Sequence, residues 1–273
     1  MITLLTDFGS SDSWVGEMKG VMLGIDPSIP IVDVTHGITA GGIREAAWIL
    51  SRAWEVFPAG TIHVAVVDPG VGGERRGIAA RAGGHWFVGP DNGVLIAAID
   101  RADADPAAEI REITLRELGH VRRGTTFDGR DLFAPTAARL HGGLPFLEIG
   151  PEISDPVRLP GFAPRPKGEA WSVEIARVDR FGNLVTVADE GFLRAQFGDD
   201  WRDVSVELAN APLRGISLGY GDVAVGETLL SIGGAGTLEI SVNRGSARAS
   251  LGLVAGDTVL LNGPPSHSSG SPG

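Results

Sequence analysis

The chain has 273 residues, 43% of them hydrophobic and 21% charged, enough for one large or two modest domains with a buried core. Its formal net charge of −11 makes nucleic acid a poor partner, because neutralising phosphates takes a basic surface. It contains no cysteine, which excludes disulfides, thiolate metal ligands and cysteine nucleophiles.

In chain order, Ile2–Thr6 reads as a short apolar strand, and Val15–Ile25 as a helix that stops at Asp26-Pro27. Ile31–Val34 is a second strand, and Ile43–Phe57 repeats apolar residues at helical spacing. Thr61–Val67 is a β-branched run halted by Asp68-Pro69-Gly70. Ile78–Ala82 and Trp86–Val88 form a predicted hairpin about Gly83-Gly84, followed by helices over Gly93–Ile99 and Leu132–Leu140. This alternation predicts an α/β N-terminal domain, residues 1–156, with a mainly parallel sheet.

Residues 157–168 are rich in proline and glycine and read as a linker. Beyond them, over 169–262, short strands at Ala170–Val178, Leu184–Val187, Asp203–Leu208, Thr228–Ile232, Thr237–Val242 and Asp257–Leu261 predict an all-β C-terminal barrel. One short helical stretch near Phe192–Phe197 interrupts them, and 263–273 reads as a flexible tail. No segment reaches the roughly 18–20 apolar residues of a membrane span, so no membrane partner is expected and the cytoplasm is the expected location.

Four polar clusters follow strands or sit in glycine-rich turns, where α/β proteins bind ligands. Asp7, after the first strand, can accept both hydroxyls of a ribose; alternatively Asp7 or Asp12 caps the helix that follows. Phe8 and Trp14 flank the same cluster as candidate substrate contacts. Asp68 enters a glycine-rich loop from which Arg75 returns, a pair that is either functional or a surface ion pair in a turn. The loop lacks the Gly-Lys-Ser/Thr ending of a P-loop. Asp128 lies between Phe127 and a glycine, whereas Asp131 reads as an N-cap or a partner of Arg130. Asp179, Phe181 and Asn183 offer a carboxylate, a ring and a carboxamide for an amine and a purine, or else a plain β-turn.

Together these clusters resemble the S-adenosyl-L-methionine hydroxide adenosyltransferase family, related to fluorinase and chlorinase. The resemblance runs over nearly the whole chain, through Thr6-Asp7-Phe8-Gly9, Asp33-Val34-Thr35-His36-Gly37, Val67-Asp68-Pro69-Gly70-Val71-Gly72 and Pro90-Asp91-Asn92-Gly93. It continues through Thr126-Phe127-Asp128-Gly129-Arg130-Asp131, Asp179-Arg180-Phe181-Gly182-Asn183 and Val242-Asn243-Arg244-Gly245-Ser246. It implies hydrolysis of S-adenosyl-L-methionine to adenosine and L-methionine, with no cofactor and no metal. It also implies a homotrimer, with each site between the N-terminal domain of one subunit and the C-terminal domain of the next.

By the same resemblance, Asp7 matches the ribose-diol carboxylate and Asp179 the residue that holds the methionine amine. Phe181, Asn183, Asn243 and Arg244 match adenine-binding elements, and Asp68 and Arg75 match two members of a water-activating Asp-Arg-His triad. The resemblance places a histidine at the third position, where this chain has Asp128, giving the triad a formal charge of −1. An aromatic expected near position 41 is replaced by Gly41-Gly42, and Gly233-Gly234-Ala235-Gly236 lacks the serines expected for the methionine carboxylate. Asp68 stands where the halogenases carry tyrosine, and its charge opposes an incoming halide. Water is therefore the expected nucleophile. The alternatives are a non-catalytic binder of the same ligand and a nucleoside hydrolase, which would need a calcium site.

Overall fold

The computed structural model describes residues 1–102, 108–114, 124–208 and 212–264. The chain divides into two compact units, Met1–Gly161 and Phe162–Gly273.

In the first unit, β1 (Ile2–Thr6) is buried along its whole length and leads into α1 (Trp14–Ile25). Helix α1 buries Met18 and Met22, one turn apart, and ends as predicted where Asp26, preceding Pro27, turns extended. β2 (Ile31–Thr35) and α2 (Ile43–Ala53) follow. The period that predicted a helix to Phe57 continues past Ala53 only as a tighter 3-10 turn, Trp54–Val56, before Pro58. Then come β3 (Ile62–Val66), β4 (Gly77–Ala82), β5 (His85–Pro90), α3 (Ile96–Ala102), β6 (Glu109–Glu112) and α4 (Ala134–His141). A π-helical turn over Gly129–Phe133 runs straight into α4.

The sheet order is β2-β1-β3-β5-β4-β6. β2, β1, β3 and β5 are mutually parallel, but β4 is antiparallel to both of its neighbours. The sheet is therefore mixed: four neighbouring strands run parallel, and β4, the strand of the expected hairpin, runs against them. The cause is local: Gly83 and Gly84, at φ +55° and +76°, make the two-residue turn that folds β5 back on β4. Ile2, Leu4, Val64 and Val66 pack on one face with Met18 and Met22, and the small residues Ala134, Ala137 and Ala138 complete this core. On the other face the buried ring of His63 bonds Thr3 and meets His85, Phe57 and Phe87.

The second unit contains β7 (Arg165–Lys167), β8 (Ala170–Val178), β9 (Leu184–Asp189), α5 (Glu190–Phe197) and β10 (Ser205–Glu207). These are followed by β11 (Leu213–Arg214), β12 (Ile216–Ser217), β13 (Thr228–Ile232), β14 (Thr237–Val242), α6 (Ala247–Leu251) and β15 (Thr258–Asn262). The strands follow the path β11-β10-β15-β8-β9-β14-β13-β12, with β7 attached to β8. The two ends of that path, β11 and β12, flank a single residue, Gly215, at φ +74°. The sheet thus curls into a nearly closed barrel, in line with the expected architecture. Helix α6 goes beyond the single helical stretch expected here. Its five residues are too few to show a period, and its ends carry the signal instead. The Ser246 hydroxyl accepts from the Ala249 amide at 3.2 Å, and Gly252 closes the helix at φ +69°.

Most of the expected tail, 265–273, lies outside the described residues. No helix among the described residues is long and apolar enough to cross a membrane.

Candidate active site

β1 and β3 are adjacent and parallel, so the residues beyond their carboxyl ends lie side by side. Asp7 follows β1 directly and Asp68 follows β3 after Val67. Both line a pocket of about 590 Å³, together with Phe8, Trp14, Phe127 and Asp128. That volume falls in the range of small-molecule sites.

Two of these carboxylates belong to an Asp68–Arg75–Asp128 cluster. Arg75 Nε donates to both Asp68 carboxylate oxygens at 3.0 Å, and its Nη2 donates to Asp68 as well. The same Nη2 reaches Asp128 Oδ2 at 2.6 Å. The side chains are 4%, 13% and 6% exposed respectively, so this is no surface ion pair. Two carboxylates therefore face one guanidinium in a largely dry setting. Burial opposes the Arg75 charge, but hydrogen bonds and charge from Asp68, then from Asp128, outweigh it and lift the guanidinium above its usual range.

Gly72 permits this assembly. Its φ is +79°, and a side chain there would press on the Thr125 carbonyl, where the loop after β3 meets the segment bearing Asp128.

A second layer holds the pocket wall. Phe127 meets Phe8 and Trp14 edge-on, with ring centroids 5.7 and 5.1 Å apart. The Arg130 guanidinium lies 4.8 Å from the Phe127 centroid. Arg130 also bonds both oxygens of Asp131, and Glu17 of α1 at 2.8 Å. Those bonds, Asp131's first, hold its charge above the usual arginine range. Asp131 is thus the partner of Arg130, one of its two expected readings.

Asp7 accepts from the Gly41 amide at 2.8 Å and has no cationic partner among the described residues. No side chain of Asp7 or Asp12 caps α1; Ser13 at its start bonds Glu17 instead. Asp12, Thr126, Phe127 and Arg130 also line the pocket, although their sequence context marked none of them as a substrate contact. Phe127 and Arg130 were visible beside Asp128, and Glu17 lies in the family-like stretch Val15-Gly16-Glu17-Met18-Lys19-Gly20, but nothing in the sequence paired it with Arg130, 113 positions away.

The remaining candidates lie in the second unit. Asp179 Oδ1 accepts the amides of Phe181 and Asn183 at 2.8 and 2.9 Å, and its Oδ2 accepts Asn183 Nδ2 at 2.9 Å. The Asn183 amide also donates to Tyr220 at 3.2 Å, and Phe181 is left 75% exposed. Asn243 donates to the Val223 carbonyl at 2.8 Å, and Arg244 adopts φ +55°, rare for a residue with a side chain. The turn reading of 179–183 is therefore realised, with an exposed ring on top. Among the described residues no group of three or more His, Asp or Glu is placed to hold a metal ion.

An α/β unit whose small-molecule pocket carries carboxylates at the ends of parallel strands, followed in the chain by a small barrel, defines a two-domain protein with a ligand site in its first unit. The SAM hydroxide adenosyltransferase N-terminal domain matches residues 2–150, and the corresponding C-terminal domain matches residues 173–260. The chain belongs to this family. It is 38% identical to the (R)-S-adenosyl-L-methionine hydrolase of Salinispora tropica, over 95% of this chain and 97% of that one. It is 29% identical to the fluorinase of Actinoplanes sp., over 68% of this chain and 70% of that one. A crystal structure of an uncharacterized conserved protein from Thermotoga maritima superposes with a TM-score of 0.87 at 37% identity, covering 96% of this chain and all of the other.

Proposed function

We propose that this protein hydrolyses S-adenosyl-L-methionine to adenosine and L-methionine, with water attacking the ribose C5′ carbon. The observation that carries this reading is the buried Asp68–Arg75–Asp128 cluster on the wall of a pocket that also presents Asp7. The sulfonium makes methionine a ready leaving group, so the protein has to place a water in line with the C5′–S bond and draw off its proton. The new C5′–O bond forms as C5′–S breaks, and the electron pair of the broken bond stays on methionine sulfur. Asp68 orients the water and accepts its proton, and Arg75 stabilises the hydroxide character that develops. Asp128 holds the far side of Arg75 in this scheme, and Asp7 takes the ribose diol.

The excess of carboxylate favours a cationic substrate and opposes a halide nucleophile. Phe8 and Trp14 cover the sugar side, while Asp179, Phe181, Asn183, Asn243 and Arg244 serve the methionine amine and adenine. We assign the working assembly as a homotrimer, in which these two residue sets come from neighbouring subunits; no cofactor enters the scheme.

Chromatography of products after prolonged incubation with S-adenosyl-L-methionine tests the reading. Adenosine and methionine are expected, with no 5′-chlorinated nucleoside in molar chloride. Binding of the substrate without any adenosine would overturn hydrolysis in favour of a non-catalytic binder.

A further inference from the structure

The segment Pro90-Asp91-Asn92-Gly93 has no part in the scheme above, and none of its residues lines the pocket. Its place in the sheet gives it one. β5 lies between β3 and β4, parallel to the first and antiparallel to the second. The loop that carries Asp68 and Arg75 leaves β3 and returns into β4, so it has to cross the end of β5, where Pro90 pairs with Gly77.

Two adjacent residues grip that loop at its two ends. Asn92 Nδ2 donates to the carbonyl of Val67, the residue before Asp68, at 2.9 Å. Asp91 Oδ2 accepts from Nε of Arg76, the residue after Arg75, at 2.9 Å, and the Asp91 amide donates to the Arg76 carbonyl at 2.9 Å. The grips are themselves held. Asn92 Oδ1 accepts the Val94 amide at 3.1 Å, and the buried Asp91 accepts the Val157 amide through Oδ1 at 2.8 Å.

Between the grips the loop has little to fix it. It contains Gly70, Gly72 and Gly73, and its own backbone bonds, Val71 to Asp68 and Gly73 to Gly70, are long at 3.2 and 3.1 Å. Glycine-rich backbone has the most freedom to lose on ordering. Asp68 and Arg75 are also bonded to each other, so a shift of the loop carries the pair together relative to the pocket. We infer that Asn92 is a positioning residue for water activation, because its hold on Val67 sets where the backbone delivers the Asp68 carboxylate. This rests on the reading of the pocket as a hydrolase site. A displacement of about 1 Å at a reacting group costs on the order of 10²-fold in rate, so a residue outside the pocket can govern turnover without touching substrate.

The test compares the full-length wild type with Asn92→Asp and Asn92→Ala. The first keeps the acceptor for Val94 and loses the donor to Val67; the second loses both without adding charge. Adenosine release from S-adenosyl-L-methionine gives kcat and KM, and calorimetry with adenosine gives the affinity and the number of sites per chain. Both variants are expected to lose about tenfold or more in kcat, with KM changed less than about twofold. Adenosine should still bind at one per chain with affinity within about twofold of wild type, which a loss of folded protein would not allow. Unchanged kcat, a fall in kcat matched by fewer binding sites, or failure of both variants to fold overturns the positioning role of Asn92 and leaves the hydrolase reading standing. A wild type that releases no adenosine overturns the hydrolase reading, and the role of Asn92 with it.

Discussion

Replacing Arg75 by methionine isolates two buried carboxylates that now share its guanidinium. Removing one partner of a buried ion pair costs about 3–5 kcal/mol. A second route gives a similar figure. Two carboxylates bonded to one nitrogen sit roughly 5 Å apart, where unit charges at an effective dielectric of 20 repel by about 3 kcal/mol. For a unit of this size each kcal/mol shifts the melting temperature by about 2–4 °C, so Arg75→Met should lower it by roughly 10 °C. Scanning calorimetry at pH 7.5 reads this directly, and circular dichroism below the transition checks that the variant is folded. Adding Asp128→Asn to Arg75→Met should recover about half of the loss, because one of the stranded charges is gone. A melting temperature within about 2 °C of wild type for Arg75→Met, or no recovery in the double variant, would refute the electrostatic account of the cluster.

Asp68→Asn should lower kcat for adenosine release by about 10²-fold or more, the usual worth of a positioned base, with substrate affinity changed less than threefold by calorimetry. His63 is neutral in the fold, its pKa lowered from 6.5 to about 3 by burial and then by the charge of His85. The unfolded chain takes up this proton as the pH falls through 6.5 and the folded chain does not, so stability is lost between those values, by roughly 3 kcal/mol at pH 4.5. His63→Gln should narrow the gap between melting temperatures at pH 7.5 and 4.5, and an unchanged gap would count against this linkage. Gly182→Ala puts a Cβ into Ser246 at a φ of +85°, so it should disturb the 179–183 turn and weaken nucleoside binding, measured by calorimetry.

The strands and helices that bear Asp7 and Asp68 were legible in the sequence because each is a run of one clear period ended by proline, glycine or aspartate. Thr228–Ile232 and Thr237–Val242 were read to the residue for the same reason. The mixed direction of the sheet was legible only in part. The Gly83-Gly84 turn already required an antiparallel pair, but the rhythm of alternating elements hid its effect on the whole sheet. β6 was missed because Glu-Ile-Arg-Glu shows almost no apolar run; it is held by pairing with β4. At the site, the sequence named Asp68, Arg75 and Asp128, but only folding brings a residue 53 positions away onto the same guanidinium.

The joint at Gly215 has a consequence for how this protein meets other strands. Because β11 and β12 are two-residue strands tied through one glycine, the barrel leaves no long run of unpaired amides at its seam. The remaining short strand, β7, is Arg-Pro-Lys, whose proline lacks a donor and whose charges discourage docking. In the first unit β6 is partly covered by the Arg111–Glu152 bridge, and β2 carries Asp33, paired with Lys19 at 2.7 Å. Each sheet margin is thus guarded by brevity, proline, cover or charge, a pattern that protects a β-rich protein from stacking into fibres in a crowded cell.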